Sequence, residues 1–278
     1  MVLLWLSTRR IAIQSMHIQD RVALITGASE GIGAACAQEF RRKGARLSLV
    51  ARSHAKLELV GGAEASITAG DLCDPATRQA ALEATINRFG RIDILVNNAG
   101  AGLYAPSWNA PMEEVRRMFE LNFFAALAMI QLAVPHMRRQ KSGMIVNVGS
   151  IAGKVTLPWF TLYSASKFAL GSLTDGLRME LAAHCIHAMT VCPGYVRTGF
   201  QQHVLAGRAP DAIAGRKQFG ISAEACARAI VRGVERNART VVTPRVGWVF
   251  VALERMFPGL VDAQLARISR RQEEAASR

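Results

Sequence analysis

Tyr163 and Lys167, in the run Tyr163-Ser164-Ala165-Ser166-Lys167, are residue types that together can move a proton. Residues four apart on a helix share a face, so the phenol and the ammonium can reach one point in space. A free phenol titrates near ~10 and is a poor acid or base at neutral pH. A fixed positive charge beside it favours the phenolate and brings proton transfer into range. Tyr and Lys at this spacing also occur on solvated helices, so the rest of the chain must supply a cofactor and a reason for a proton to move.

A second segment supplies a place for a cofactor. Val22-Ala23-Leu24-Ile25 runs into Thr26-Gly27-Ala28-Ser29-Glu30-Gly31-Ile32-Gly33 and then into a helical stretch. Glycines there let the backbone turn tightly and approach a pyrophosphate with no Cβ in the way. The helix start offers unpaired N–H groups and the positive end of its dipole. A glycine-rich string alone is a flexible loop; after a first strand and opening a helix it is a phosphate-binding signal. Three residues separate its first two glycines, unlike the GxGxxG of the common dehydrogenases.

The elements that must hold these residues alternate between short apolar runs and longer amphipathic stretches. Strands are expected near 21–26, 46–51, 93–97, 143–149 and 187–192, with weaker candidates near 66–70 and 240–243. Helices are expected near 31–43, 75–89, 112–140, 163–183 and 222–236, and Gly61-Gly62 ends a short one between the second and third strands. Such alternation with right-handed crossovers predicts one α/β domain, a Rossmann-type doubly wound parallel sheet with helices on both faces. The expected boundaries are an N-terminal extension over 1–15, a catalytic domain over 16–245 and a helical, basic C-terminal extension over 246–278. In the last segment an apolar helical patch over 246–256 is interrupted at Pro258-Gly259 and followed by a basic amphipathic stretch. It reads either as two small helices over the substrate side or as a contact with a membrane surface.

Composition narrows the function classes. The 278 residues carry 34 basic and 21 acidic side chains, a formal net charge of +13. No RNA-binding signature or basic stretch with interleaved aromatics accompanies that charge, so nucleic acid is not the expected partner. A positive field instead favours a phosphorylated cofactor. The five cysteines are scattered with no CxxC pair, which reads as reduced thiols in a cytoplasmic setting. His184 and His187 straddle a helix–strand junction without a third ligand, so no metal is expected. The apolar run at the N-terminus is too short, and its arginines follow rather than precede it, for a secretory signal or a span.

With these motifs in order, the chain resembles the short-chain dehydrogenase/reductase family, whose turn is TGxxxGxG and whose catalytic pair is YxxxK. The resemblance covers about residues 20–245. It implies that Gly27, Ser29, Glu30, Gly31, Ile32 and Gly33 form the phosphate turn. Asn97-Asn98-Ala99-Gly100 matches the family's NNAG, which steadies the central sheet and implies Asn98, Ala99 and Gly100 beside the adenine ribose. Asp71-Leu72 matches the position where an acidic side chain meets the adenine ring. Pro193-Gly194-Tyr195-Val196-Arg197-Thr198 matches the PGxxxT run around the nicotinamide, implicating Pro193, Gly194, Val196 and Thr198.

The same resemblance implies a tetrad of Asn122, Ser150, Tyr163 and Lys167. Ser150 holds a carbonyl oxygen that Tyr163 protonates, Lys167 favours the phenolate and bonds the nicotinamide ribose, and Asn122 holds a water as a proton relay. The implied small-molecule substrate lies against Ser150, Tyr163 and Tyr195. Pairing into a homodimer or homotetramer through the helices over 112–140 and 163–183 is expected on the same ground.

Cofactor choice is usually set at the end of the second strand. Val50-Ala51-Arg52-Ser53 has no carboxylate there; Arg52 can pair with a 2′-phosphate and Ser53 can add a hydrogen bond, which favours NADP(H) over NAD(H). Glu30 complicates this, since many NADP-using relatives carry a basic or small residue at its position. The segment from Gly199 to about Ser222 is expected to cover the substrate, with Leu103, Tyr104, Leu157, Trp159, Phe160, Tyr195 and Phe200 as candidate walls. That apolar site predicts reduction of an apolar ketone or aldehyde. A non-catalytic NADP-sensing protein and a membrane-surface acyl reductase are the competing readings.

Overall fold

The computed structural model describes residues 15–207 and 220–276. The proposed N-terminal extension lies outside the described residues except for Ser15, and the chain joins the fold at Met16, whose N–H donates to the Glu235 carbonyl at 3.1 Å. In chain order the strands are β1 (Val22–Thr26), β2 (Arg46–Ala51), β3 (Ser66–Ala69), β4 (Ile94–Asn97), β5 (Gly143–Val148), β6 (Ile186–Pro193), β7 (Val196–Arg197), β8 (Ile221–Ser222) and β9 (Thr240–Thr243). Seven of them form one parallel sheet in the order β3-β2-β1-β4-β5-β6-β9, and β7 pairs with β8 beside it. The order reverses between β1 and β4, the crevice where open α/β sheets bind ligands at the carboxyl ends of their strands.

Every residue of β1 and β5 is buried, as sheets covered on both faces require. Alternate side chains feed two cores. Ala23 and Ile25 join Leu49, Val146 and Met189 beneath α1 (Gly31–Arg42) on one face. Leu24 joins Val50, Leu95 and Ile145 on the other. That second face is covered by α3 (Pro75–Phe89), α5 (Ala125–Gln140) and α6 (Thr161–Glu180), after the short helices α2 (His54–Gly61) and α4 (Met112–Phe119). Met112–Gln140 is long and apolar enough to cross a membrane by length and composition, but its face bearing Met129, Ile130, Ala133 and Met137 packs into this core. The remaining helices are α7 (Ala223–Glu235), α8 (Gly247–Met256) and α9 (Pro258–Ala276).

Side chains close several helix starts. Ser53 Oγ accepts from the Lys56 N–H, Asp74 from Ala76 with Pro75 at the first position, and Ser222 from Ala225. Helix α1 is different: its N-cap, Glu30, makes no side-chain cap bond.

The single helix expected over 112–140 is instead two, joined by a π-helical turn at Glu120–Phe124 in which the Ala125 N–H bonds the Glu120 carbonyl five residues back. The extra residue shifts the phase of the helix and turns Asn122 inward, where it is 1% exposed. Pro258 opens α9 at the position where its missing N–H costs nothing, so the expected break there separates two helices.

Candidate active site

The glycine turn is locked to the loop after β4. Thr26 Oγ1 accepts from the N–H groups of Asn98 and Ala99 at 3.0 and 3.1 Å. Asn98 Nδ2 donates back to the carbonyls of Thr26 and Gly27 at 3.0 and 3.1 Å. Gly27 has φ +64°, and a Cβ there would stand 2.9 Å from Ala99 Cα. At Gly33 a Cβ would meet the Gly27 carbonyl oxygen at 2.1 Å and Asn98 Nδ2 at 2.6 Å. Bare backbone therefore shapes a cradle at the start of α1, where N–H groups have no side-chain cap. Behind it, Asn97 Nδ2 donates to Asn147 Oδ1, and Asn147 Nδ2 to Thr174 Oγ1, each at 2.9 Å, tying β4, β5 and α6 together.

Helix α6 buries one stripe, which includes Tyr163, Ser166, Lys167, Leu170 and Thr174. The turn after β5 presses on it: a Cβ at Gly153 would come 2.9 Å from the Lys167 backbone. This close approach brings Ser150 to Tyr163, near enough for the serine hydroxyl to lower the titration of the phenol. Ser150 Oγ also accepts from the Ala152 N–H at 3.1 Å, which fixes its direction. Lys167 Nζ donates to the Val148 carbonyl at 3.1 Å and stands 5.7 Å from the centre of the Tyr163 ring.

Burial dominates the titration of both groups. It pushes the Tyr163 phenol well above its ordinary value of 10.0, with the Ser150 hydrogen bond acting in the opposite direction. It brings the Lys167 ammonium down from 10.5 to about 8. Desolvation thus sets the direction for the phenol, and the lowering contribution comes from Ser150.

Asn122 reaches partners in two other segments. Its Oδ1 accepts from the Ala101 N–H at 2.9 Å, and its Nδ2 donates to the Ala101 carbonyl and to Ser166 Oγ, each at 3.0 Å. The side chain fastens the loop after β4 to α6. Gly100 lies between them: a Cβ there would stand 3.0 Å from Asn122 Oδ1 and 3.3 Å from Lys167 Nζ.

These groups border a single cavity of about 810 Å³. Gly27, Ser29, Glu30, Gly31 and Ile32, expected at the phosphates, line one end, and Arg52, Asp71 and Leu72, expected at the adenine, line the part next to it. Asn98, Ala99, Gly100, Ser150, Tyr163 and Lys167 line the middle, with Pro193, Gly194, Tyr195, Val196 and Thr198 opposite. Gly33, Ser53 and Asn122 do not line it: Gly33 supports the cradle from behind, and the Ser53 hydroxyl caps α2 by accepting from the Lys56 N–H. Glu30 turns away from the cap position to Lys56 Nζ at 2.8 Å and His203 Nε2 at 2.5 Å, contacts that lower its titration, the Lys56 hydrogen bond foremost.

Of the expected walls, Tyr104, Leu157, Phe160, Tyr195 and Phe200 face the cavity. Leu103 is wholly buried beneath it, and Trp159 donates its indole N–H to Ser269 Oγ at 3.1 Å. The two small helices expected over the substrate side are α8 and α9, and their Phe250, Leu253, Leu260, Val261, Leu265 and Ile268, which sequence reasoning did not single out, close the cavity. The expected cover continues over Gly199–His203, whose first turn Thr198 caps, while its 208–219 portion lies outside the described residues.

Comparison with known proteins accords with this geometry. The family model described as short chain dehydrogenase matches residues 21–209. The chain is 30% identical over 274 residues to mouse dehydrogenase/reductase SDR family member 7B, covering 94% of this chain and 85% of the relative. It is 31% identical over 255 residues to the 11-beta-hydroxysteroid dehydrogenase-like 2 protein of Arabidopsis thaliana, covering 88% and 80%. Among solved structures, a Burkholderia phymatum short chain dehydrogenase/reductase in complex with NAD superposes with a TM-score of 0.79 at 25% identity, covering 88% of this chain and 96% of that one. A Burkholderia cenocepacia short chain dehydrogenase in complex with NADP gives 0.76 at 27% identity, covering 90% and 99%. The matched span contains the glycine cradle, Ser150, Tyr163 and Lys167, and the chain belongs to the short-chain dehydrogenase/reductase family of oxidoreductases.

Proposed function

We propose that this oxidoreductase reduces apolar ketones and aldehydes to alcohols, with NADPH favoured over NADH. The observation that carries the reading is the junction of Ser150, Tyr163 and Lys167 in the same cavity as the glycine cradle. The residues present fit a dinucleotide: backbone where a phosphate needs close approach, and uncapped N–H groups at the start of α1. A reduced nicotinamide bound along that cradle supplies a hydride for a carbonyl carbon.

The chain's own groups handle the oxygen and its proton. The Ser150 hydroxyl holds the carbonyl oxygen, and Tyr163 gives it the proton that completes the alcohol. The phenolate left behind is stabilised by the nearby Lys167 ammonium. Leu157, Phe160, Phe200, Val261 and Leu265 make the substrate end apolar and exclude water from the reacting carbonyl. That lining suits medium or large apolar carbonyls, and the hydroxysteroid name of the Arabidopsis relative supports flat, steroid-like ketones within the class.

A pH dependence follows from Lys167. The cation is present below about 8 and lost above it, so ketone reduction should be level below that pH and decline by up to about tenfold per unit above it. Stability runs the other way. A lysine whose folded value lies below its ordinary 10.5 costs stability most below about 8, and that cost is relieved as pH rises towards 10.5. A pH profile of kcat with a stable apolar ketone checks the point; undiminished turnover up to pH ~10 removes Lys167's charge from the mechanism.

For the cofactor, exposed Arg52 lies just beyond β2 at the adenine end, free to meet a 2′-phosphate. Lys56 pairs with the Glu30 carboxylate and His203 contacts it, which weakens the objection that Glu30 repels that phosphate. Arg52→Asp should raise the KM for NADPH by about tenfold or more and lower that for NADH. The check is steady-state kinetics with both cofactors side by side; an unchanged preference eliminates Arg52 as its cause.

A further inference from the structure

The chain has three tyrosines, Tyr104, Tyr163 and Tyr195, and all three line the cavity. Proton transfer uses Tyr163. Tyr104 has no part in it, yet its surroundings hold it as firmly. Its own N–H donates to the Ala206 carbonyl at 2.9 Å, and the next N–H, of Ala105, donates to the Trp159 carbonyl at 2.9 Å.

Its ring stacks on Phe160 with centroids 4.3 Å apart and planes 10° from parallel. Phe160 in turn stacks on Tyr163 at 4.1 Å and 19°. The two phenols therefore flank one aromatic ring, with their own rings roughly 8 Å apart.

The hydroxyl of Tyr104 is also oriented. Gln201 Nε2, in the turn after Thr198, donates to it at 3.0 Å. A phenol that accepts one hydrogen bond keeps its own proton to donate. Among the described residues that proton has no acceptor, and the residue is only 5% exposed at the cavity wall. A buried donor without a partner is costly, and a ligand oxygen relieves that cost.

We propose that Tyr104 is a second hydrogen-bond point for the substrate, and that the preferred substrates carry a second acceptor oxygen, separated by an apolar segment from the carbonyl being reduced. Tyr163 and Ser150 hold the reacting end; Tyr104 holds the other and sets which carbonyl of the molecule is presented. Phe160, stacked between the two phenol rings, sets their separation and turns its edge to the apolar segment. The inference rests on the reductase reading above and adds a substrate class to it.

The test compares a linear aliphatic methyl ketone with diketones of the same length and varied spacing, in wild type and Tyr104→Phe. The variant keeps the ring stack and removes only the hydroxyl. In wild type the best-spaced diketone should have a kcat/KM about tenfold above the monoketone, expressed in KM. In Tyr104→Phe that ratio should fall about tenfold, and Gln201→Leu, which frees the hydroxyl to rotate, should lower it partway. A ratio unchanged in Tyr104→Phe, including an equal loss on both substrates, overturns the proposal and leaves Tyr104 as packing for Tyr163. Turnover of both ketones by wild type without preference overturns it alone, whereas no turnover of either overturns the reductase reading as well.

Discussion

Tyr163→Phe should lower kcat for ketone reduction by about a thousandfold, within the range general acids contribute, while NADPH still binds. The substitution removes one oxygen and leaves the ring, which is held by Phe160 at 4.1 Å and by the edge of Phe200 at 5.9 Å. Packing of α6 should therefore survive, and the loss reports the proton alone. Ser150 remains to hold the carbonyl oxygen, but the charge that develops there has no proton within reach. Burial raises the phenol, so the wild-type group is protonated at neutral pH, the form a reduction needs. Cofactor titration by fluorescence beside single-turnover rates separates the two effects. A variant that turns over at near wild-type rate would assign the proton to another group.

Gly33→Ala should abolish dinucleotide binding and destabilise the fold by about 3 kcal/mol, at the upper end of the cost of overpacking. The new methyl would lie 2.1 Å from the Gly27 carbonyl oxygen, backbone that is itself bonded by Asn98 Nδ2 at 3.1 Å. The nearest atom is backbone, and the Asn98 side chain, 2.6 Å from the same methyl, is itself bonded to the turn, so the turn must move. Gly90 is the contrasting site, because nothing lies within 4 Å of a Cβ there. Its φ of +72° makes alanine strained on conformational grounds but leaves the cradle untouched. Thermal melts and NADPH titrations of both variants distinguish the cases: Gly33→Ala should lose binding and Gly90→Ala should keep it. Retained binding in Gly33→Ala would mean that the cradle is not the phosphate site.

Much of this was legible in the chain because the signals are local. Strand β2 falls at 46–51 and α3 at 75–89, where periodicity and caps put them, since Asp74 and Pro75 start the helix whatever surrounds it. The spacing of Tyr163 and Lys167 likewise survives folding because it is a property of one helix. What could not be read depends on partners distant in sequence. The π turn at Asn122 carries no local mark; it is held by bonds to Ala101 and Ser166, the latter 44 residues on. Glu30 stands in the sequence only as a complication for cofactor choice, and only the fold brings Lys56 and His203 to it. The apolar residues of α8 and α9 look alike in sequence whether they face core, solvent or cavity, so the six that close the substrate end were missed. The sequence makes Tyr104 a candidate wall, but its free proton follows from Gln201, whose position the sequence does not disclose.

The central claim is that this cavity carries a hydride to a carbonyl carbon and a proton to its oxygen. Incubation with an apolar ketone and NADPH deuterated on the transferring face of the nicotinamide, followed by mass spectrometry of the alcohol, tests it most directly. The wild-type protein should give alcohol with one deuterium on the carbinol carbon, and Tyr163→Phe should give almost none. Unlabelled alcohol, or no alcohol from any apolar ketone in the presence of bound NADPH, would contradict the account.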